Sequence, residues 1–302
     1  MKIAVDFPSV AYREGPQQVL ALASAIEQIG YDEIAAFDHV VMGYPSEDRR
    51  TIYPAEMPIL EALMLLANIA AVTSKVSLST EVLVLPQRQP VLVAKQISTL
   101  DTLSQGRVRL GIGVGWQDSE YDALEEDFST RGKRMDEAID LLRNYWQGGR
   151  IEFRGSYYDS HDMGMEPISP QGGNIPVWVG GESPAALRRT AQKADGWMAS
   201  GVTDEQALLG VAEIQGLAEE FGRDPSEIGF QLMLQPPPRS DADKLFYANL
   251  DAIAERAAVV NAMGFDWTSV NATAVFQAGA RSVDAMIEQL DAIYTRIRSE
   301  VD

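Results

Sequence analysis

With 302 residues and 46% hydrophobic content, the chain can bury a large core, as one barrel-type domain or two smaller ones. Its 25 Lys and Arg against 44 Asp and Glu leave a formal charge of −19, which argues against nucleic acid or an anionic membrane as partner. The absence of cysteine excludes disulfides, thiolate metal sites and thiol nucleophiles, and the opening segment reads as a strand, so a cytoplasmic protein is expected.

Short β-rich apolar runs alternate with longer segments of helical period nearly eight times, which predicts a closed parallel (β/α)8 barrel over 1–302. Strand one is Ile3 to Phe7, followed by a helix from Gln17 to Ile29 that stops at Gly30. Strand two is Glu33 to Phe37; the apolar run from Ile59 follows as a core helix, since it carries Glu61 and Asn68 and is too short to span a bilayer. Strand three covers Val76 to Leu85, with a helix from Val91 to Leu103 behind Pro90, and strand four covers Arg107 to Val114. Helices near Ser119 to Glu125 and Arg131 to Trp146 come next. Residues 150–174 lack a helical period and read as an irregular insertion or small hairpin before strand five at Pro176 to Val179. Strand six is Gly196 to Ala199, with a helix from Asp204 to Phe221; strand seven is Gly229 to Leu234, broken by Gln235-Pro-Pro-Pro-Arg239. A helix from Asp241 to Met263, strand eight at Trp267 to Val270 and a helix from Val283 to Arg298 complete the chain.

In such a barrel the chemistry gathers at the C-terminal strand ends. His39 follows Asp38 at the end of strand two, where a histidine can move a proton near neutral pH and an adjacent carboxylate can hold its tautomer; a turn-capping Asp beside a packing His is the alternative. Ser79 and Thr80 sit where strand three would approach a flat ring, and Glu81 is costly to bury unless it is functional or reaches Arg88 or solvent. Gly111, Gly113 and Gly115 lack the helix that a dinucleotide fingerprint requires and read as letting backbone lie close to a planar ligand, or as a strand merely lightened by glycine. Ile175 to Arg189 reads as a buried strand turning on Gly180 and Gly181 into a helix capped by Ser183 and started by Pro184. That junction suits a phosphate group, or serves only as a tight turn. His161 reads as a surface residue, Glu125-Glu126 and Glu219-Glu220 as solvated faces, and no hydrolase elbow, P-loop or metal-binding pair is present.

These residues together carry a family resemblance. The order Phe37-Asp38-His39, Leu85-Pro-x-Arg-x-Pro90, Ala94-Lys-Gln96, Ser104-x-Gly-Arg107, Gly111-Ile-Gly-Val-Gly-Trp116, Arg131-Gly-Lys-Arg-Met-Asp-Glu137, Pro176-Val-Trp-Val-Gly-Gly181 and Ala194-Asp-Gly-Trp197 resembles the bacterial luciferase-like monooxygenase superfamily, and within it the probable coenzyme F420-dependent oxidoreductases. The resemblance implies a (β/α)8 barrel, often dimeric, that moves hydride at the deazaflavin ring and meets a small-molecule substrate. It implies that Asp38 and His39 contact the ring, with His39 assisting proton transfer. Ser79, Thr80, Glu81 and Val82 would lie behind the ring, in a segment that in the family often holds a non-prolyl cis peptide, although the family usually has glycine at positions 79 and 81. Gly180, Gly181, Glu182 and Ser183 would bind the coenzyme phosphate. Trp116 replaces the glutamate of members that oxidise sugar phosphates, so Trp116 and Tyr44 are expected to shape a site for an apolar or planar substrate. An FMN-dependent monooxygenase and a non-catalytic cofactor-binding member are the alternatives.

Overall fold

The computed structural model describes residues 1–47, 51–235 and 245–301. Eight parallel strands close into a barrel: β1 (Lys2–Asp6), β2 (Glu33–Ala36), β3 (Ser77–Thr80) continued by β4 (Leu83–Val84), β5 (Val108–Gly113), β8 (Val177–Gly180), β9 (Gly196–Ala199), β10 (Gly229–Met233) and β11 (Trp267–Asn271). Closure is made where β3 pairs with β5, Leu78 opposite Val108 and Ser79 opposite Arg109. The helices are α1 (Pro16–Ile29), α2 (Ala62–Ala70), α3 (Pro90–Ser104), α4 (Asp118–Ala123), α5 (Arg131–Gln147), α6 (Pro184–Lys193), α7 (Asp204–Glu220), α8 (Leu250–Ala262), α9 (Ala272–Ala278) and α10 (Val283–Val301). The 150–174 insertion is the antiparallel hairpin of β6 (Ile151–Arg154) and β7 (Asp159–Met163). His161 stands exposed on β7 between Glu152 and Asp159.

Local chemistry explains the boundaries. Gly30 ends α1 in the left-handed conformation at φ 112°, which costs glycine nothing. Glu61 accepts the Met64 amide and so delays α2 to Ala62, three residues after the apolar run begins. Strand three is not continuous: β3 stops at Thr80, the Glu81–Val82 peptide is cis, and pairing resumes at Leu83. Of the helix expected from Asp241 to Met263, Leu250–Ala262 is one helix, capped by Asn249 after a turn at 247–248; residues 241–244 and residues 236–239 of the proline run lie outside the described residues. Among the described residues no helix is long and apolar enough to cross a membrane.

Strand residues alternate between the helix-covered core, with Ile3, Val5, Ile34, Leu78, Leu110, Ile112, Val177 and Val179 at most 1% exposed, and the barrel interior. The interior is polar. Arg109 donates to Glu33 through Nε at 2.8 Å and to Gln231 through Nη2 at 2.6 Å, and its guanidinium lies 4.3 Å from the ring centres of both Trp178 and Trp267. Burial pushes the Glu33 carboxyl up despite Arg109 beside it. Arg109 thus plugs the barrel as a cation held between two π faces.

Candidate active site

Asp38 and His39 leave the end of β2 in different directions. Asp38 turns to β4: it accepts the Val84 amide at 2.8 Å and a forked pair of bonds from Arg88 at 2.7 and 2.8 Å. Its carboxyl, raised by burial although Arg88 opposes this, is fully engaged in holding the strand-three break against the β2 end. It does not hold His39, the role its position in sequence suggested. Glu120 of α4 does so instead, with Oε2 3.2 Å from His39 Nδ1. Glu120 also accepts the Val40 and Val41 amides at 2.5 and 3.3 Å, and Gln117 Nε2 donates to the Val41 carbonyl at 2.8 Å. Helix α4 therefore clasps the loop after β2 by both its amide and carbonyl groups.

The His39 ring stands edge-on to Trp116 at 5.6 Å and to Tyr53 at 5.8 Å, and its side chain is 12% exposed. Trp116 and Tyr53 also meet edge-on, at 6.1 Å, so three rings wall one side of the mouth. Trp116 and Tyr44 are exposed, and Tyr44 bonds Glu56. Tyr44 makes no ring contact with the other three.

Glu81, half-buried, does not turn to Arg88. It crosses the barrel to accept Gln231 Nε2 at 2.7 Å and Ser269 Oγ at 3.2 Å, within hydrogen-bond reach of Asp6. Burial first, and then the Glu81 charge, hold the Asp6 carboxyl well above the usual carboxylate range. Asp6, at the C-terminal end of β1, is thus held toward its protonated form beside Glu81. Ser79 and Thr80 are buried, and their hydroxyls bond the Thr80 and Gly111 carbonyls.

The glycines of β5 make room for strand three. A Cβ at Gly113 would stand 2.6 Å from Val82 Cγ2, one at Gly180 would stand 3.0 Å from Val82 Cγ1, and one at Gly111 would stand 2.0 Å from the Thr80 carbonyl oxygen. Close backbone approach is required, as expected, but the neighbour in contact is protein. Beyond Gly180 the chain turns at Gly181 with φ 110°, its carbonyl accepting Trp197 Nε1 at 2.9 Å. Ser183 then caps α6 by accepting the Ala186 amide at 3.2 Å. Glu182 and Ser183 are exposed, and partial burial lifts the Glu182 carboxyl. The strand-to-capped-helix junction is thus formed as its sequence predicts.

The chain matches the luciferase-like monooxygenase family over residues 3–295. It belongs to that family. Among its relatives, an uncharacterised protein of Mycobacterium tuberculosis is 36% identical over 217 residues, 69% of this chain and 74% of that protein. Pyrimidine monooxygenase RutA of Klebsiella pneumoniae is 34% identical over 175 residues, 55% of this chain but 47% of RutA, so the match spans about half of that enzyme. The monooxygenase RslO1 of Streptomyces bottropensis superposes with a TM-score of 0.80 at 19% identity, covering 100% of both chains. The coenzyme F420-dependent tetrahydromethanopterin reductase of Methanopyrus kandleri gives 0.76 at 16% identity, covering 100% of this chain and 99% of that one. These two likenesses are of fold. As a member of the luciferase-like family the chain is an enzyme, and where β5 and β8 end Val82 fills the space over Gly113 and Gly180. Sequence reasoning passed over Glu120, Tyr53, Asp6 and Gln231. An inward-facing acid in an apolar strand marks Asp6, but nothing local marks the others.

Proposed function

We propose that this luciferase-like enzyme transfers hydride between coenzyme F420 and a small apolar or planar organic substrate. The observation that carries the reading is His39: a histidine held on one nitrogen by a buried carboxylate, with its ring in an aromatic wall at the mouth, is built to move a proton to or from Nε2 as hydride moves elsewhere. The deazaflavin, when bound, supplies the hydride-carrying carbon. Trp116 and Tyr53 would exclude water and favour a flat, apolar substrate. Gly180, Gly181, Glu182 and Ser183 would hold the cofactor phosphate, with the α6 dipole assisting.

A second reading is favoured by the likeness to RutA, a monooxygenase: the same mouth would hold FMN and activate oxygen. Fluorescence titration with oxidised F420 and, separately, FMN decides between them. Tight binding of F420 alone supports hydride transfer, whereas preference for FMN with oxygen uptake by the reduced complex supports the monooxygenase. In the same titration Gly181→Val, which forces a β-branched residue to φ 110°, is expected to weaken binding at least tenfold; unchanged affinity would remove the phosphate assignment.

We further propose a homodimer. Met64 on α2 and Leu92 and Leu103 on the neighbouring α3 are exposed, with Ala67, Gln96, Thr99 and the charged Lys95 on the same two helices, on a chain whose charge is −19. Light scattering is expected to give twice the 33.1 kDa chain mass, reduced to one chain by Leu103→Asp; a monomeric wild type would refute the proposal.

A further inference from the structure

We infer that Glu120 is a positioning residue that fixes the His39 imidazole as its Nδ1–H tautomer, making Nε2 the one nitrogen through which protons are exchanged at the mouth. Glu120 accepts the Val40 and Val41 amides on Oε1 and faces His39 Nδ1 with Oε2, and the Gln87 side chain also interacts with its carboxylate. Backbone amides can only donate, and an ionised carboxylate can only accept. The proton between Glu120 and His39 therefore belongs to Nδ1, in the neutral ring as well as in the imidazolium. Although burial raises it, His39, the Gln87 side chain and the Val40 amide bring the Glu120 carboxyl below its ordinary range, so it is ionised at neutral pH.

Among the described residues no second carboxylate contacts the ring. Asp38, adjacent in sequence, is occupied by Arg88 and the Val84 amide. Among the described residues Nε2 has no hydrogen-bond partner, and the neighbours recorded around the ring are the edges of Trp116 and Tyr53. An imidazole free in water favours the opposite tautomer, with the proton on Nε2. Inverting that preference leaves an Nε2 lone pair in the neutral ring, which can take a proton, and an Nε2–H in the cation, which can give one. Loss of Glu120 would leave a histidine of the same composition presenting the wrong form.

The test uses the amide isostere. In Glu120→Gln the side-chain oxygen still accepts the Val40 and Val41 amides, so the clasp on the loop survives, but the NH2 group must donate to Nδ1 and drives the ring proton to Nε2. With 15N-labelled histidine the ring nitrogens report the tautomer directly. Only two histidines are present, and the spectrum of His161→Asn, which changes the exposed one, assigns the signals of His39. The wild-type protein without cofactor is expected to show an amine-type Nδ1 and a pyridine-type Nε2, exchanged in Glu120→Gln and retained in Glu120→Asp. An Nε2–H ring in the wild type, or an unchanged pattern in Glu120→Gln, would overturn the assignment.

The kinetic consequence rests on the proton-transfer reading above: Glu120→Gln is expected to lower kcat about 100-fold with little change in KM, and Glu120→Asp to restore part of it. A tautomer exchange without a change in kcat refutes proton transfer by His39 and leaves the positioning of the ring standing, so the two failures are distinct.

Discussion

Replacing His39 by alanine is expected to lower turnover by about 10²- to 10⁴-fold, the range for removing a positioned general acid or base. The loss should appear in kcat, because the ring's contacts are with Glu120, Trp116 and Tyr53, none of which lies in the Gly180–Ser183 junction proposed to hold the cofactor tail. Cofactor affinity should therefore stay within a few-fold of wild type. Steady-state rates with the cofactor chosen by the titration, together with its dissociation constant for the variant, check both halves. Full turnover would end the role of His39 and direct attention to Asp6, whose carboxyl burial and Glu81 hold well above the usual range. Loss of cofactor binding alone would make His39 a binding residue.

Arg109→Ala is expected to cost about 3–5 kcal/mol of stability, because it strands a buried carboxylate. Glu33 is fully buried, and Arg109 is the cation paired with it. Removing the guanidinium also leaves a space between the Trp178 and Trp267 rings and takes the donor from Gln231. Urea denaturation followed by tryptophan fluorescence reads the loss, two of the five tryptophans being the rings that flank the guanidinium. The double variant Glu33→Leu with Arg109→Met should recover much of the deficit, since an apolar pair of similar volume removes the uncompensated charge. A loss below about 1 kcal/mol in the single variant would place the pair with solvated surface ion pairs.

The barrel was legible because each strand of a parallel sheet covered by helices is a short apolar run, and helical periods separate the runs. Strand six is found at Gly196–Ala199, where the pattern puts it. Helix α9 escaped notice: Ala272–Ala278 is seven residues, too short to establish a period, and its signal is the single cap Asn271, whose Oδ1 accepts the Ala274 amide. The interruption in strand three leaves no mark in the periodicity of 76–85; the family resemblance alone pointed to it, with a non-prolyl cis peptide expected within Ser79–Val82 and found at Glu81–Val82. At the site, position along a strand pointed to Asp38 and His39, but pairing did not follow from adjacency. His39 finds its carboxylate 81 residues away, on a helix whose acidic sequence reads as a solvated surface. Asp38 finds Arg88, the cation that the sequence offered to Glu81. Local patterns report which way a strand residue faces; they carry no record of what the opposite side of a barrel presents to it.

Val82 has a consequence for how this mouth can be reshaped. Its two methyl groups occupy the volumes that side chains at 113 and 180 would need, so one position in the break of strand three and two on β5 and β8 share one cavity's worth of space. A single change at either glycine collides with Val82, and trimming Val82 alone leaves a hollow. Descendants of this sequence can therefore explore larger residues at 113 or 180 only after, or together with, a smaller one at 82. The route to a differently shaped cleft is ordered, and its first step is position 82.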